Sequence, residues 1–173
     1  FDTSYAEPFA TGAYLKYEDR VLDQEVEQIP REKRGTYIDL GCGTGGLIMR
    51  FGGLFKRSVG YDLSPEMLSR AHEKSGTDPF PGREIRFVEA DLEKGIPEKD
   101  ASVSLVTCTL GTGSDIRDIQ KIISETLRVL EPDGSVGLIY DTTTARWRAS
   151  AAGERLFTPA EELALFGAGT DGD

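Results

Sequence analysis

The sequence predicts an α/β fold, a mostly parallel sheet with helices on both faces, on three observations. From Thr36 onward, short apolar runs alternate with segments of helical periodicity in the order strand, helix, strand, helix, strand, strand, helix, strand. The first apolar run, Tyr37-Ile38-Asp39-Leu40, breaks into Gly41, Gly43, Gly45 and Gly46, four glycines within six residues. Glycines there let the backbone turn sharply and come close to a ligand where any Cβ would clash. The third observation is a long amphipathic helix near 115–130, whose apolar stripe is that of a helix laid on a sheet.

The elements follow in chain order. The first fourteen residues lack periodicity, after which Leu15, Leu22, Val26 and Ile29 recur at helical spacing until Pro30 ends the pattern. Residues 1–34 are therefore an N-terminal helix with a candidate lid segment. Its aromatic residues Tyr5, Phe9, Tyr14 and Tyr17 suit either a cover over a ligand or packing against the sheet, and both readings stand. Residues 35–173 form the core of what is a single domain overall, with strands expected near 36–40, 57–61, 85–89, 102–108 and 135–140. A helix is expected over Gly45 to Phe51, and another after Ser64, a preferred N-cap, with Pro65 at its first position. From Asp115 to Leu130, the residues Ile116, Ile119, Ile122, Ile123, Leu127 and Leu130 make one stripe, while Arg117, Asp118, Lys121 and Glu125 take the other side. Thr158-Pro159-Ala160-Glu161 is a capping box that opens a further short helix.

Composition narrows the function. At 173 residues one core needs neither disulfide nor metal. No apolar run reaches the length of a membrane span and no signal peptide is visible, so the expectation is a cytoplasmic protein with no membrane partner. Cys42 and Cys108, the two cysteines, fall near the carboxyl ends of expected strands and read as buried free thiols. A net charge of −10 repels a polyanion unless a basic stripe reverses the field. The cluster Arg31-Glu32-Lys33-Arg34 is short and carries its own acid, which reads as a solvated linker; nucleic acid is not the expected partner. Oligomeric state is not legible in the sequence.

The glycine segment has two grammars. As G-x-G-x-x-G, Gly41, Gly43 and Gly46 match a dinucleotide fingerprint, a weak signal when taken alone. Asp39 points elsewhere, because dehydrogenases keep that strand position apolar. With Gly41, Gly43 and Gly45 it makes a D-x-G-x-G that resembles motif I of class I S-adenosylmethionine-dependent methyltransferases. Three further segments are similar to that family, in its order. Val59-Gly60-Tyr61-Asp62-Leu63-Ser64-Pro65-Glu66-Met67-Leu68 looks like its second strand and following helix, and Phe87-Val88-Glu89-Ala90-Asp91-Leu92 like its third strand and adenine loop. Leu127-Arg128-Val129-Leu130-Glu131-Pro132-Asp133-Gly134 looks like the helix and Pro-x-Gly turn before its fifth strand.

The resemblance implies a Rossmann-like sheet of order 3-2-1-4-5 and S-adenosylmethionine as cofactor, held by Asp39, Gly41, Gly43, Gly45, Asp62, Leu63, Met67, Asp91, Leu92 and Thr109. Asp39 would hold the methionine end, directly or through water. Asp62, twenty-one positions after Gly41, would accept from both ribose hydroxyls. Asp91 would accept from the adenine amino group, with Leu92 offering its backbone and Leu63 and Met67 sandwiching the ring; Met67 reads equally well as core. The backbones of Thr109 and Leu110 would touch the methionine portion. After the fifth strand the family adds a helix and two strands, and about thirty residues remain here, so the closing hairpin is expected to be absent, removed or left out of the sequence.

No catalytic base stands out. His72, the lone histidine, lies on the helix after the second strand, away from the expected acceptor. Tyr140 and Asp141 close the fifth strand beside the methyl group and are the weak catalytic candidates. Cys108 lacks the preceding proline of enzymes that methylate pyrimidine carbon, because Thr107 occupies that position. Trp147 either walls the acceptor pocket or covers the sheet edge. The reading is methyl transfer to a small-molecule acceptor. Two alternatives stand beside it: a non-catalytic nucleoside-binding or regulatory domain of the same fold, and a nicotinamide-dependent oxidoreductase.

Overall fold

The computed structural model describes residues 22–24, 26–108, 117–139, 146–150 and 153–156. Outside them lie Tyr5, Phe9, Tyr14, Tyr17, Thr109, Leu110, Tyr140, Asp141 and the Thr158–Glu161 capping box. The strands are β1 (Thr36–Leu40), β2 (Arg57–Asp62), β3 (Glu84–Glu89), β4 (Val103–Cys108), β5 (Leu130–Ile139), β6 (Arg146–Ser150) and β7 (Gly153–Leu156). The helices are α1 (helical at 22–24 and 26–28), α2 (Gly46–Phe51), α3 (Pro65–Ser75) and α4 (Ile119–Val129).

These strands form one sheet of order β3-β2-β1-β4-β5-β6-β7. The first five are parallel, in the expected 3-2-1-4-5 order, and this places the carboxyl ends of β1 and β4 at the point where strand order reverses. Each sheet face has its own core. Ile38, Leu40, Val59, Val106 and Ile122 fill the face covered by α4. Tyr37, Phe55, Ile48, Leu68 and Leu105, with Leu22 and Val26 of α1, fill the other. Alternation along β1 thus sends Ile38 and Leu40 one way and Tyr37 the other, and both sides are dry.

Local signals set the element ends. Ser64 caps α3 by accepting from Met67 N at 3.3 Å, and Gly76 closes it with a φ of 63°. α4 begins at Ile119 behind the Asp118 cap, which accepts from Lys121 N at 3.0 Å. The part of its expected range before residue 117 lies outside the described residues.

Three expectations change. β5 starts at Leu130 rather than near residue 135. The partner of Val103 is Leu130 and that of Leu105 is Ser135, so Pro132-Asp133-Gly134 bulges within the strand instead of preceding it, as a residue without an N–H requires. Val103 and Leu105, two positions apart on β4, lie in opposite cores. Two strands follow β5: β6 runs antiparallel to it and β7 antiparallel to β6, so the strand that opposes the sheet is the first of the pair, beside β5. Finally, Arg34 is more than a solvated linker residue. Its guanidinium donates to Ile29 O at 3.0 Å and Val26 O at 2.9 Å, satisfying carbonyls at the end of α1.

Candidate functional site

The site lies at the carboxyl ends of β1 and β2. β1 ends at Leu40, and Gly41, Gly43 and Gly45 all take positive φ, at 71°, 52° and 78°. Two of these positions show why only glycine serves. At Gly45 a Cβ would stand 2.7 Å from Phe87 Cε1, so this residue lets the start of α2 close on β3. At Gly43 a Cβ would meet nothing within 4 Å, so the need there is conformational and the space above the loop is open. Gly46, the first residue of α2, likewise faces open space.

The loop is tied to β2 by a carboxylate. Asp62 Oδ2 accepts from Gly43 N at 2.7 Å and Oδ1 from Ser64 N at 2.8 Å, while Gly41 N and Cys42 N both donate to Tyr61 O at 2.8 and 2.9 Å. Asp62 is half-buried, with one backbone bond on each oxygen, so each keeps capacity for a second donor from a ligand.

Asp39 lies beneath the loop, 3% exposed. The parallel register sets it beside Gly60 on one side and Thr107 on the other. Thr107 Oγ1 donates to Asp39 Oδ1 at 2.7 Å, and the Tyr37 hydroxyl lies 2.9 Å from Thr107 Oγ1. Burial, only partly offset by the Thr107 bond and aggravated by Asp62, raises the Asp39 carboxyl to about 7. A buried carboxylate held this way calls for a cation.

The residues expected around adenine stand along one rim. Leu63 and Met67 are 66% and 39% exposed, whereas their neighbour Leu68 is buried, so the core reading of Met67 does not hold. The Leu92 side chain is buried in a 3-10 turn, Leu92–Lys94. Asp91 caps that turn, accepting from Glu93 N at 3.1 Å and pairing with Lys94 at 3.1 Å, and Lys94 holds its carboxyl below the usual range. A groove of about 940 Å³ opens here, with Leu63, Val88, Ala90, Asp91 and Ile96 among its walls. Another, of about 580 Å³, lies by Thr36 and Arg57 at the amino ends of β1 and β2, away from the glycine loop.

Both thiols are buried and free. Burial pushes the Cys42 thiol up, and that of Cys108 to about 12, which leaves neither as a thiolate near neutral pH. Gly60 makes room for Cys42: a Cβ there would come within 2.7 Å of its Sγ. His72 is exposed and meets Phe87 edge-on at 5.4 Å, outside the loop. Among the described residues no acid, His and Cys cluster suits a metal, and no helix is long and apolar enough to cross a membrane.

The structure gathers Asp39, the glycines and Asp62 at the carboxyl ends of β1 and β2. Sequence reasoning missed Tyr37 and Thr107, since a threonine 68 positions from Asp39 reads as strand filler until the β1–β4 register is known.

Comparison with known proteins agrees with this geometry. A family model described as a methyltransferase domain matches residues 38–134, more than half of the chain. A demethylmenaquinone methyltransferase of Chlorobaculum tepidum is 33% identical over 65% of this chain and 43% of its own length. A trans-aconitate 2-methyltransferase of an Azoarcus species is 27% identical over 88% of this chain and 63% of its own. The chain spans about half the length of most of the curated relatives it matches. An S-adenosylmethionine-dependent methyltransferase of Clostridium acetobutylicum superposes with a TM-score of 0.58 at 25% identity, over 78% of this chain and 60% of that one. With the sheet order, the glycine loop and the family model in agreement, this chain belongs to the class I S-adenosylmethionine-dependent methyltransferase family.

Proposed function

We propose that this chain binds S-adenosylmethionine above Gly41, Gly43 and Gly45 and transfers its methyl group to a small-molecule acceptor. The observation that carries the proposal is the pair of carboxylates at the loop, Asp62 at its rim and Asp39 beneath it. A dinucleotide would set its anionic pyrophosphate over Asp39, whereas S-adenosylmethionine brings an ammonium, a sulfonium and a ribose diol. The residues fit the cofactor: open space over Gly43, a buried acid for the ammonium end, spare acceptor capacity on Asp62 for the diol, and exposed Leu63 and Met67 for the adenine faces.

In this reading Asp39 anchors the methionine end and Asp62 the ribose. Asp91 accepts from the adenine amino group and the Leu92 backbone bonds the ring edge. The Thr109 backbone is proposed to touch the methionine portion. When bound, the cofactor supplies a methyl group on a sulfonium, already a good leaving group. The chain's part is therefore to orient the acceptor in line with that methyl and to exclude water. Tyr140 and Asp141, at the end of β5, are proposed to orient the acceptor or take its proton, and the segment 1–34 to wall the pocket. Demethylmenaquinone and trans-aconitate, named for relatives, are the first acceptors to try.

The test is a transfer assay with methyl-labelled cofactor against small quinols and carboxylic acids, run beside short oligonucleotides. Label in a small molecule supports the reading. Label in the oligonucleotide alone contradicts the acceptor class, and binding without transfer to any acceptor favours a nucleoside-binding domain.

A further inference from the structure

We propose that Tyr37 and Thr107 are positioning residues that hold Asp39 in its ionised form, one oxygen fixed and the other turned to the cationic end of the cofactor; this rests on the cofactor reading above. The Thr107 hydroxyl has one hydrogen, and gives it to Asp39 Oδ1 at 2.7 Å. The 2.9 Å contact between the Tyr37 and Thr107 hydroxyls must then use the Tyr37 hydrogen. The result is a one-way chain, Tyr37 to Thr107 to Asp39, inside a core where both hydroxyl-bearing residues are 0% exposed.

Protonation of Asp39 disturbs this chain whichever oxygen takes the proton. On Oδ1, the proton must be given to Thr107, whose own hydrogen then turns to the Tyr37 oxygen. The Tyr37 hydrogen is left with no acceptor among the described residues, an expensive state in a dry core. On Oδ2, the chain keeps its direction but its charge-assisted bond becomes an ordinary one. Both routes favour the ionised carboxylate, and a hydroxyl that polarises another strengthens the effect.

The surroundings otherwise work against ionisation. Among the described residues the titratable groups facing Asp39 are Tyr37 on its own strand, Cys42 in the loop, Asp62 at the end of β2 and Cys108 on β4, and none of these is a cation. Burial and Asp62 raise the carboxyl, Thr107 alone lowers it, and the balance is about 7. Its charge state therefore changes near neutral pH, which gives two hydroxyls the leverage to decide it. No hydrogen bond to Oδ2 is formed within the described residues, so that oxygen is free for an ammonium group.

The experiment uses the full chain with Tyr37→Phe, Thr107→Val and Thr107→Ser. The carboxyl carbon of Asp39 is titrated by NMR without cofactor, and S-adenosylmethionine affinity is measured by calorimetry from pH 6 to 9. The expected result is a midpoint raised by roughly one unit in Thr107→Val and by less in Tyr37→Phe, with Thr107→Ser restored to the parent value. A one-unit rise from 7 makes Thr107→Val about tenfold weaker than the parent at pH 6 and about fivefold weaker at pH 7, with near equality at pH 9. The cofactor's own amino group titrates alike in parent and variant and cancels from that ratio. An unchanged midpoint, or an affinity ratio constant with pH, overturns the proposal and leaves the two hydroxyls as packing. Failure of the parent to bind at any pH overturns the cofactor reading, and the proposal with it.

Discussion

Asp39 makes the unliganded protein pay for its site in stability, and the cost has a pH signature. Its folded value of about 7 lies above the ordinary 3.8, so between these values the folded state holds a proton that the unfolded chain has released. The contribution is fully present below pH 4 and is lost as pH rises through 7, amounting to about 4 kcal/mol by pH 8. Asp39→Asn keeps an acceptor for Thr107 without the charge. It should flatten that decline, leaving the variant more stable than the parent at pH 8 in urea titrations while cofactor affinity falls at least tenfold. Equal slopes in the two proteins would show that Asp39 is ionised at no cost. Asp62→Ala removes acceptors for Gly43 N and Ser64 N as well as the proposed ribose contact, and calorimetry should record a loss of roughly 1–3 kcal/mol in binding. Cys108→Ser should keep most transfer activity, because a thiol raised to about 12 is no nucleophile. A thousandfold loss with cofactor affinity intact would reinstate covalent catalysis.

The glycine loop and α2 depend on backbone conformations as much as on side chains. Gly45→Ala forces a φ of 78° on an alanine and drives its Cβ to 2.7 Å from Phe87, so a loss of about 2–4 kcal/mol is expected in denaturant unfolding. Gly43 has the positive φ without the crowding, and Gly43→Ala should cost clearly less stability while impeding the cofactor. A larger unfolding penalty at Gly43 than at Gly45 would contradict this division. The sequence made these elements legible because their signals are local: an apolar run, a glycine break, a cap such as Ser64. It failed where the cause is distant. The start of β5 depends on which residue of β4 meets Leu130, and the partner of Asp39 lies on a strand 68 positions away. Arg34 looked like a linker residue because its acceptors are backbone carbonyls of Val26 and Ile29, which leave no mark in a sequence.

Across the molecule, parallel strands in the order β3-β2-β1-β4-β5 gather the loop, both carboxylates and the rim of Leu63, Met67 and Asp91 at one end of the sheet. The net charge of −10 favours a cationic ligand over a polyanion. Of the bases that might have made a basic patch, Arg57 is paired with Glu98 at 2.7 Å and Arg34 is spent on carbonyls. Gel retardation with short oligonucleotides at low salt should therefore show no micromolar binding; binding that weakens steeply with salt would overturn this expectation. The central claim, that the loop over Asp39 takes S-adenosylmethionine, is tested most directly by calorimetric titration of the full chain with S-adenosylmethionine and with NAD at pH 8. Binding of the first, lost in Asp39→Asn, with no heat from the second, is the result expected. Binding of NAD with no response to S-adenosylmethionine would contradict it.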